Sequence, residues 1–198
     1  MDETSGRAFD EYLVVLSQAG SVDAFDGLAR RWTPRLLRYA ARMLGGSTDS
    51  AEAARDVVQE TWVGAIRGLR SLREPSQFST WIYGIATRKC ADAIRANVRR
   101  RRFDAGVAAD VGSQEASPTP ESDIDLATAI RGLPPIHRAV VHLFYREELN
   151  VEEIASVLNI APGTVKSRLH HARLALRQQL SVTAPRRNES TSSKRGMS

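Results

Sequence analysis

Basic and hydrogen-bonding side chains recur along one face of a helix predicted near the end of the chain. They are spaced at i, i+4, i+7 and i+11, so an α-helix places them on the same side. These residues are Lys166, His170, Arg173 and Arg177, flanked by Ser167 and His171. Their donors and positive charge match the base edges and phosphates of a DNA major groove, which admits one helix. The pattern predicts a DNA-recognition helix, and a solvated basic face on an ordinary helical hairpin is the alternative.

The segment 151–171 supplies the helix–turn–helix that such a recognition helix requires. Its apolar anchors are Ile154, Leu158, Ile160 and Val165. Asn159 stands at the turn, where its tolerance of left-handed backbone geometry replaces the usual glycine. Asn150, followed three residues later by Glu153, predicts a reciprocal cap at the start of the first helix.

A second basic helix face is predicted in the N-terminal half of the chain. Its members are Arg88, Asp92, Arg95 and Arg99, followed directly by the arginines at 100–102. Trp81 lies on the same helix at a core position, whereas Tyr83 lies off the apolar stripe and is the better candidate for stacking on a base. Basic groups interleaved with aromatic rings suit single-stranded nucleic acid. A solvated charged helix is the alternative.

The preceding predicted helix presents a different surface. Asp56, Gln59 and Glu60 lie on its exposed side, next to Trp62. A polar and acidic patch on an otherwise basic domain is repelled by phosphate and suits a protein partner. Ordinary surface polarity is the alternative reading of these residues.

The apolar periodicity is helical throughout, and sustained strand patterns are absent. We therefore expect an all-α fold of two small helical domains joined by a flexible acidic linker, the second domain being the helix–turn–helix. The expected boundaries are domains at 8–102 and 123–180, a linker at 103–122 and a disordered tail at 181–198. The segment 24–102 has a net charge of +9, whereas 103–125 has six acids and no base. This linker predicts domains that move independently.

Composition excludes several classes of function. The single cysteine, Cys90, excludes an internal disulfide and every zinc site built on paired cysteines. The four histidines have no metal-site spacing, and we expect no metal, cofactor or catalytic site. The acidic N-terminus lacks an apolar signal region, and no apolar run is long enough to span a bilayer. The expectation is a cytoplasmic protein without membrane insertion.

Three runs of the sequence together resemble the extracytoplasmic-function sigma factors of bacterial RNA polymerase. DVVQETWVGAIRGL at 56–69 is similar to the family's core-polymerase-binding helix, and FSTWIYGIATRKCADAIR at 78–95 is similar to its minus-ten helix. The run LPPIHRAVVHLFYREELNVEEIASVLNIAPGTVKSRLHHARLALRQQL at 133–180 is similar to its minus-thirty-five domain. The resemblance extends over about residues 10–180 and implies a factor that directs promoter-specific transcription initiation.

The resemblance also implies a role for each surface. Asp56, Gln59 and Glu60 would dock on the clamp helices of the largest subunit of core RNA polymerase. The melted minus-ten strand of promoter DNA would contact Trp81, Tyr83, Arg88, Asp92, Arg95 and Arg99. The minus-thirty-five duplex would contact Thr164, Lys166, Ser167, Arg168, His170, His171 and Arg173. An anti-sigma factor is an expected further partner.

Two other classes of protein share some of these features. A transcription regulator with a helical sensor domain would bind duplex DNA without polymerase and would need a ligand pocket in 8–102. An enzyme such as a recombinase would need a nucleophile with supporting Arg and His, or clustered carboxylates for metal. The N-terminal half has no histidine and its acids are scattered, which disfavours the enzyme.

Overall fold

The computed structural model of the protein describes residues 3–45, 48–107 and 126–182. These residues form α-helices and two short 3-10 turns, and no strand occurs among them. The first four helices are α1 Glu3–Gln18, α2 Val22–Leu44, α3 Thr48–Gly68 and α4 Phe78–Val107. The others are α5 Leu126–Gly132, α6 Pro135–Tyr145, α7 Val151–Leu158 and α8 Pro162–Val182. The all-α prediction is confirmed, whereas most of the linker and nearly all of the tail lie outside the described residues.

Helix α2 is bounded by the signals that its sequence carries. The Ser21 hydroxyl accepts a hydrogen bond from the Ala24 amide at 3.2 Å, and Gly45 ends the helix in the left-handed region with φ 103°. The helix also continues through Pro34. A proline inside a helix costs about 3 kcal/mol. Burying Leu28 and Leu36 on either side contributes about 1.5–3 kcal/mol each, which offsets that cost.

Helix α1 packs against α2 through its apolar side. It begins at Glu3 and buries Leu13 and Val14, while Tyr12 is 58% exposed. Its polar side is attached to α2, because the Asp10 carboxylate accepts a hydrogen bond from Nε of Arg31 at 2.7 Å. The local sequence pattern does not predict this pair, because Asp10 and Arg31 lie far apart in the chain.

The helix–turn–helix of α7 and α8 forms as predicted. The Asn150 side chain accepts from the Glu153 amide at 2.9 Å, and the Glu153 carboxylate accepts from the Asn150 amide at 2.8 Å. Asn159 adopts the left-handed conformation with φ 51° and ψ 53°. Val165 is fully buried, so it anchors α8 against the rest of the domain. Local capping and turn chemistry therefore account for the position of the recognition helix.

The two halves of the chain share one apolar core in this structure. Helix α4 packs against α7, and α2 packs against α6. Ile82 of the first half and Val157 of the second belong to the same buried cluster. The sequence contains no signal of this contact, and the independent movement of the two domains stays a prediction.

We predict that the cap at Asn150 contributes measurably to stability. Asn150→Ala removes the acceptor for the Glu153 amide and should lower the free energy of unfolding by about 1 kcal/mol. Urea denaturation of the full chain measures the change, with Ser156→Ala, an exposed position on α7, as the matched control. Equal losses in both variants would contradict the role of the cap.

We predict a pH dependence of stability from His142. This side chain is buried on α6, its Nδ1 has no hydrogen-bond partner, and burial, reinforced by Arg42 and Arg138, lowers its pKa to about 4. Its neutral form is the native one, so its contribution is complete above the unfolded value of about 6.5 and is lost as the pH falls toward 4. Between about pH 7.5 and pH 5 the loss should be on the order of 1–2 kcal/mol. Urea unfolding should show a shallower pH dependence in His142→Gln, and identical slopes would refute the assignment.

Candidate nucleic-acid and polymerase interfaces

Helix α4 changes from buried to exposed along its length. Its first half buries Phe78, Ile82 and Ala86, whereas the second half extends beyond the core. Four residues of the predicted minus-ten face are exposed along one side: Arg88, Asp92, Arg95 and Arg99. Arg95 and Asp92 form an ion pair at 2.5 Å with side chains 64% and 60% exposed. Such a solvated pair holds the two groups only weakly, so the cationic face can still bind an anion.

The two aromatic residues predicted on this face are buried to different extents. Trp81 is half-buried, with its ring centroid 6.0 Å from that of Phe78. Tyr83 is only 2% exposed, and the rings of Trp32 and Tyr39 pack on it at 5.7 and 5.2 Å. The interpretation of Tyr83 as lying off the core is therefore wrong. Its side of α4 faces both α2 and the second half of the chain, which the apolar stripe of one helix does not reveal.

The predicted polymerase-binding patch lies on α3, on the exposed side of that helix. Asp56, Gln59 and Glu60 are all exposed. The Glu60 carboxylate forms an ion pair with Nζ of Lys89 at 2.9 Å, which links the patch to α4 and its predicted minus-ten face. Trp62 turns the other way, because its indole N–H donates to the Thr33 hydroxyl at 3.0 Å. The patch is therefore polar and acidic without an aromatic member.

The recognition helix α8 presents the predicted residues on its outer side. Val165, Leu169 and Ala172 are buried. The exposed residues are Thr164, Lys166, Ser167, His170, His171 and Arg173. The Ser167 hydroxyl lies 3.5 Å from Nδ1 of His171. Hydrogen-bonding side chains therefore line the outer side of the first three turns of the helix.

Two arginines of α8 have surroundings that restrict their orientation. Nε of Arg173 donates to the Tyr145 hydroxyl at 2.8 Å, and its guanidinium lies 5.7 Å from the centre of that ring. Arg168 is half-buried and turns toward the first half of the chain. The neighbouring imidazole of His137 has a lowered pKa, caused first by burial and then by the charges of His171 and Arg168.

A groove runs between the two halves of the chain. Its volume is about 390 Å³, its floor is apolar, and Met43, Ile94 and Val157 contribute to that floor. Arg88 and Arg95 of α4 and Arg168 of α8 line the same groove. The two predicted DNA-binding helices therefore meet across one cavity in this arrangement.

Comparison with known proteins assigns both halves of the chain to one family. The family model for Sigma-70 region 2 matches residues 28–100, and the model for Sigma-70 region 4 matches residues 123–176. The ECF RNA polymerase sigma factor SigW of Bacillus subtilis is 33% identical over 81% of this chain and 91% of its own length. The chain is an ECF sigma factor of the sigma-70 family. The resemblance inferred from the three sequence runs is confirmed.

Other relatives of this sigma factor agree with the assignment. SigE of Mycolicibacterium smegmatis, also an ECF RNA polymerase sigma factor, is 32% identical over 90% of this chain and 69% of its own length. The solved structure of CnrH in complex with the cytosolic domain of CnrY shares the fold, with a TM-score of 0.63 and 24% identity over 89% of this chain and 99% of CnrH. The protein therefore takes part in promoter-specific transcription initiation by RNA polymerase.

The two matched regions of the sigma factor correspond to the two halves of the structure. Region 2 extends from within α2 to within α4, and region 4 includes α5, α6, α7 and most of α8. Among the described residues, no helix is both long and apolar enough to cross a membrane.

Sequence reasoning missed three residues that shape these surfaces. Lys89 pairs with the acidic patch, Tyr145 orients Arg173, and Glu147 accepts a hydrogen bond from Tyr83. The last two depend on contacts between residues 28 and 64 positions apart in the chain. Lys89 adjoins Arg88 in the sequence, but its pairing with a helix 29 positions earlier carries no local signal.

Proposed function

We propose that this sigma factor bridges core RNA polymerase and promoter DNA through three separate surfaces. Asp56, Gln59 and Glu60 bind the polymerase clamp. Trp81, Arg88, Asp92, Arg95 and Arg99 bind the melted minus-ten strand, and the exposed face of α8 with Arg168 reads the minus-thirty-five duplex. The observation that carries the proposal is the separation of charge between α3 and α4, since an acidic patch and a cationic face on neighbouring helices require different partners.

The protein would act in the cytoplasm, as a binding subunit with no catalytic site of its own. An anti-sigma factor is a further proposed partner. RpoE of Bartonella quintana, which has a similar fold with a TM-score of 0.59 and 23% identity, was solved in complex with the anti-sigma factor NepR. With the proposed domain boundaries at 8–102 and 123–180, each domain carries one of the two DNA-binding surfaces.

Run-off transcription tests the proposal as a whole. The full chain is added to core RNA polymerase with a library of genomic fragments, and defined transcripts should appear only when both proteins are present. Specific DNA binding by the chain alone, with no transcripts in the mixture, would support the regulator with a sensor domain instead.

We predict that charge reversal on α3 weakens polymerase binding. Asp56→Arg and Glu60→Arg should each lower the affinity for core polymerase severalfold, since a charge complementary to the partner becomes repulsive. Both positions are exposed, and a solvated ion pair such as Glu60–Lys89 contributes only about 0.2–1 kcal/mol to stability, so the fold should persist.

Fluorescence anisotropy of the labelled full chain against core polymerase measures this affinity. Asp26→Arg reverses an exposed acid on α2 and serves as the matched control. Wild-type affinity in both α3 variants would remove the patch from the interface.

We predict that the residues of α8 fall into two groups when mutated. His170→Ala and His171→Ala should relax the preference at one base pair by about 1–3 kcal/mol, because the first turns of a recognition helix reach base edges. Arg168→Ala and Arg173→Ala should weaken binding to every sequence and lower the salt slope by about 1, because a phosphate contact releases counterions.

The measurement uses holoenzyme and matched duplexes that differ at one minus-thirty-five base pair, titrated with salt. Gln178→Ala, an exposed uncharged position on α8, is the control. Uniform weakening by all four variants would mean that the histidines do not read bases.

A further inference from the structure

The loop that follows α6 carries an acid from region 4 into region 2. Glu147 is held there by its backbone, because its amide donates to the His142 carbonyl at 3.1 Å. The next residue, Glu148, has φ 56° in the left-handed region, and buried Leu149 fixes the far side of the loop. The backbone therefore aims one carboxylate at the other domain.

Both oxygens of that carboxylate are used by region 2. The Tyr83 hydroxyl donates a hydrogen bond to Oε2 of Glu147. Oε1 lies 3.5 Å from Nη1 of Arg42, and the Glu147 side chain is only 9% exposed. Glu147 is thus a nearly buried acid whose partners both belong to the other domain.

The surface that receives Glu147 has the chemistry of a strand-binding site. It borders a cavity of about 540 Å³ whose lining includes Arg35, Arg38 and Trp32. The Arg35 guanidinium lies 5.3 Å from the centre of the Trp32 ring. Neither Arg35 nor Arg38 has a carboxylate partner within the part of the chain that the structure describes. Arginines next to aromatic rings are the groups that hold phosphates and bases of a single strand.

The contact between the two domains also brings together the two helices that are proposed to bind the promoter, α4 and α8. The positions that name the minus-ten and minus-thirty-five elements differ by about 25 base pairs, which is about 85 Å of B-DNA at about 3.4 Å per base pair. Arg95 and Arg168, one from each helix, line a single groove. A chain in this arrangement cannot engage both elements at once.

We propose that Glu147 closes the free sigma factor into an autoinhibited state, in which its carboxylate occupies a position that a phosphate of the minus-ten strand takes in the open state. A carboxylate imitates phosphate as an acceptor for arginine and tyrosine donors. This inference rests on the proposed function, since it takes region 2 to be the strand-binding domain. Core polymerase, by binding the domains apart, would release Tyr83 and the arginines.

The test uses Glu147→Gln in the full chain without polymerase. The substitution keeps the shape of the side chain and removes its charge. Glu148→Gln is the matched control, because its carboxylate belongs to the adjacent residue and forms no ion pair or hydrogen bond within the described residues. The probe is a fluorescein-labelled pool of random single-stranded DNA, and small-angle X-ray scattering reports the radius of gyration.

Glu147→Gln should bind the single-stranded pool on the order of tenfold more tightly than wild type, since the closed state loses the ion pair with Arg42 and the charge that strengthens the hydrogen bond from Tyr83. Its radius of gyration should increase, while Glu148→Gln should match wild type in both measurements. Arg42→Gln removes the ion-pair partner of Glu147 and should also expand the chain. The proposal would be overturned by an unchanged radius of gyration in both Glu147→Gln and Arg42→Gln, or by an increased radius without tighter DNA binding.

Two further arms separate this inference from the proposed function. Adding Arg88→Ala and Arg95→Ala to Glu147→Gln should abolish the gain in affinity. If the gain persists, Glu147 does close the free chain, and the assignment of the minus-ten face is wrong.

Run-off transcription by holoenzyme should be equal for Glu147→Gln and wild type, because polymerase has already separated the domains. A transcription defect in Glu147→Gln would show that Glu147 acts in the open complex instead.

Discussion

The packing of helix α4 against both halves of the chain is the constraint on which the functional surfaces depend. Its buried side contacts α2 and α3 within region 2 and α7 of region 4. Once Ile82 and Ala86 are buried, the helical period directs Arg88, Arg95 and Arg99 outward. The arrangement of the arginines proposed to bind DNA therefore follows from the burial of the apolar side of the same helix.

Electrostatics then separates the surfaces that packing exposes. Glu60 and Lys89 join the acidic patch of α3 to α4 at 2.9 Å, and the arginines extend away from that junction. Cys90 adjoins Lys89 but is fully buried, and burial raises the pKa of its thiol to about 12. The protonated, inaccessible Cys90 thiol packs as a small apolar group. Helix α4 is therefore charged on its exposed side and has no reactive thiolate on its buried side.

The shared core of the two domains has a consequence for how the factor works. Separating α4 from α7 exposes apolar surface at roughly 25 cal/mol per Å², so opening costs free energy in the absence of a partner. A partner can supply that free energy only through its greater affinity for the open state. Core polymerase is suited to supply the free energy of opening. Its proposed contacts with region 2 lie on α3, away from the contact between the domains.

Local sequence determined most of the secondary structure and the two helix faces that are proposed to bind DNA. The cap at Asn150, the left-handed Asn159 and the exposed arginines of α4 depend on residues within one or two helical turns, and a short segment contains all the information for them. The sequence runs also determined the family, because three motifs occur in the right order. Tertiary structure decided the continuity of α2 through Pro34, the burial of Tyr83 and the pairing of Glu147. These features result from contacts between residues far apart in the chain, such as Tyr83 and Glu147. The free energy of such a contact depends on both residues, so a local sequence pattern cannot predict it.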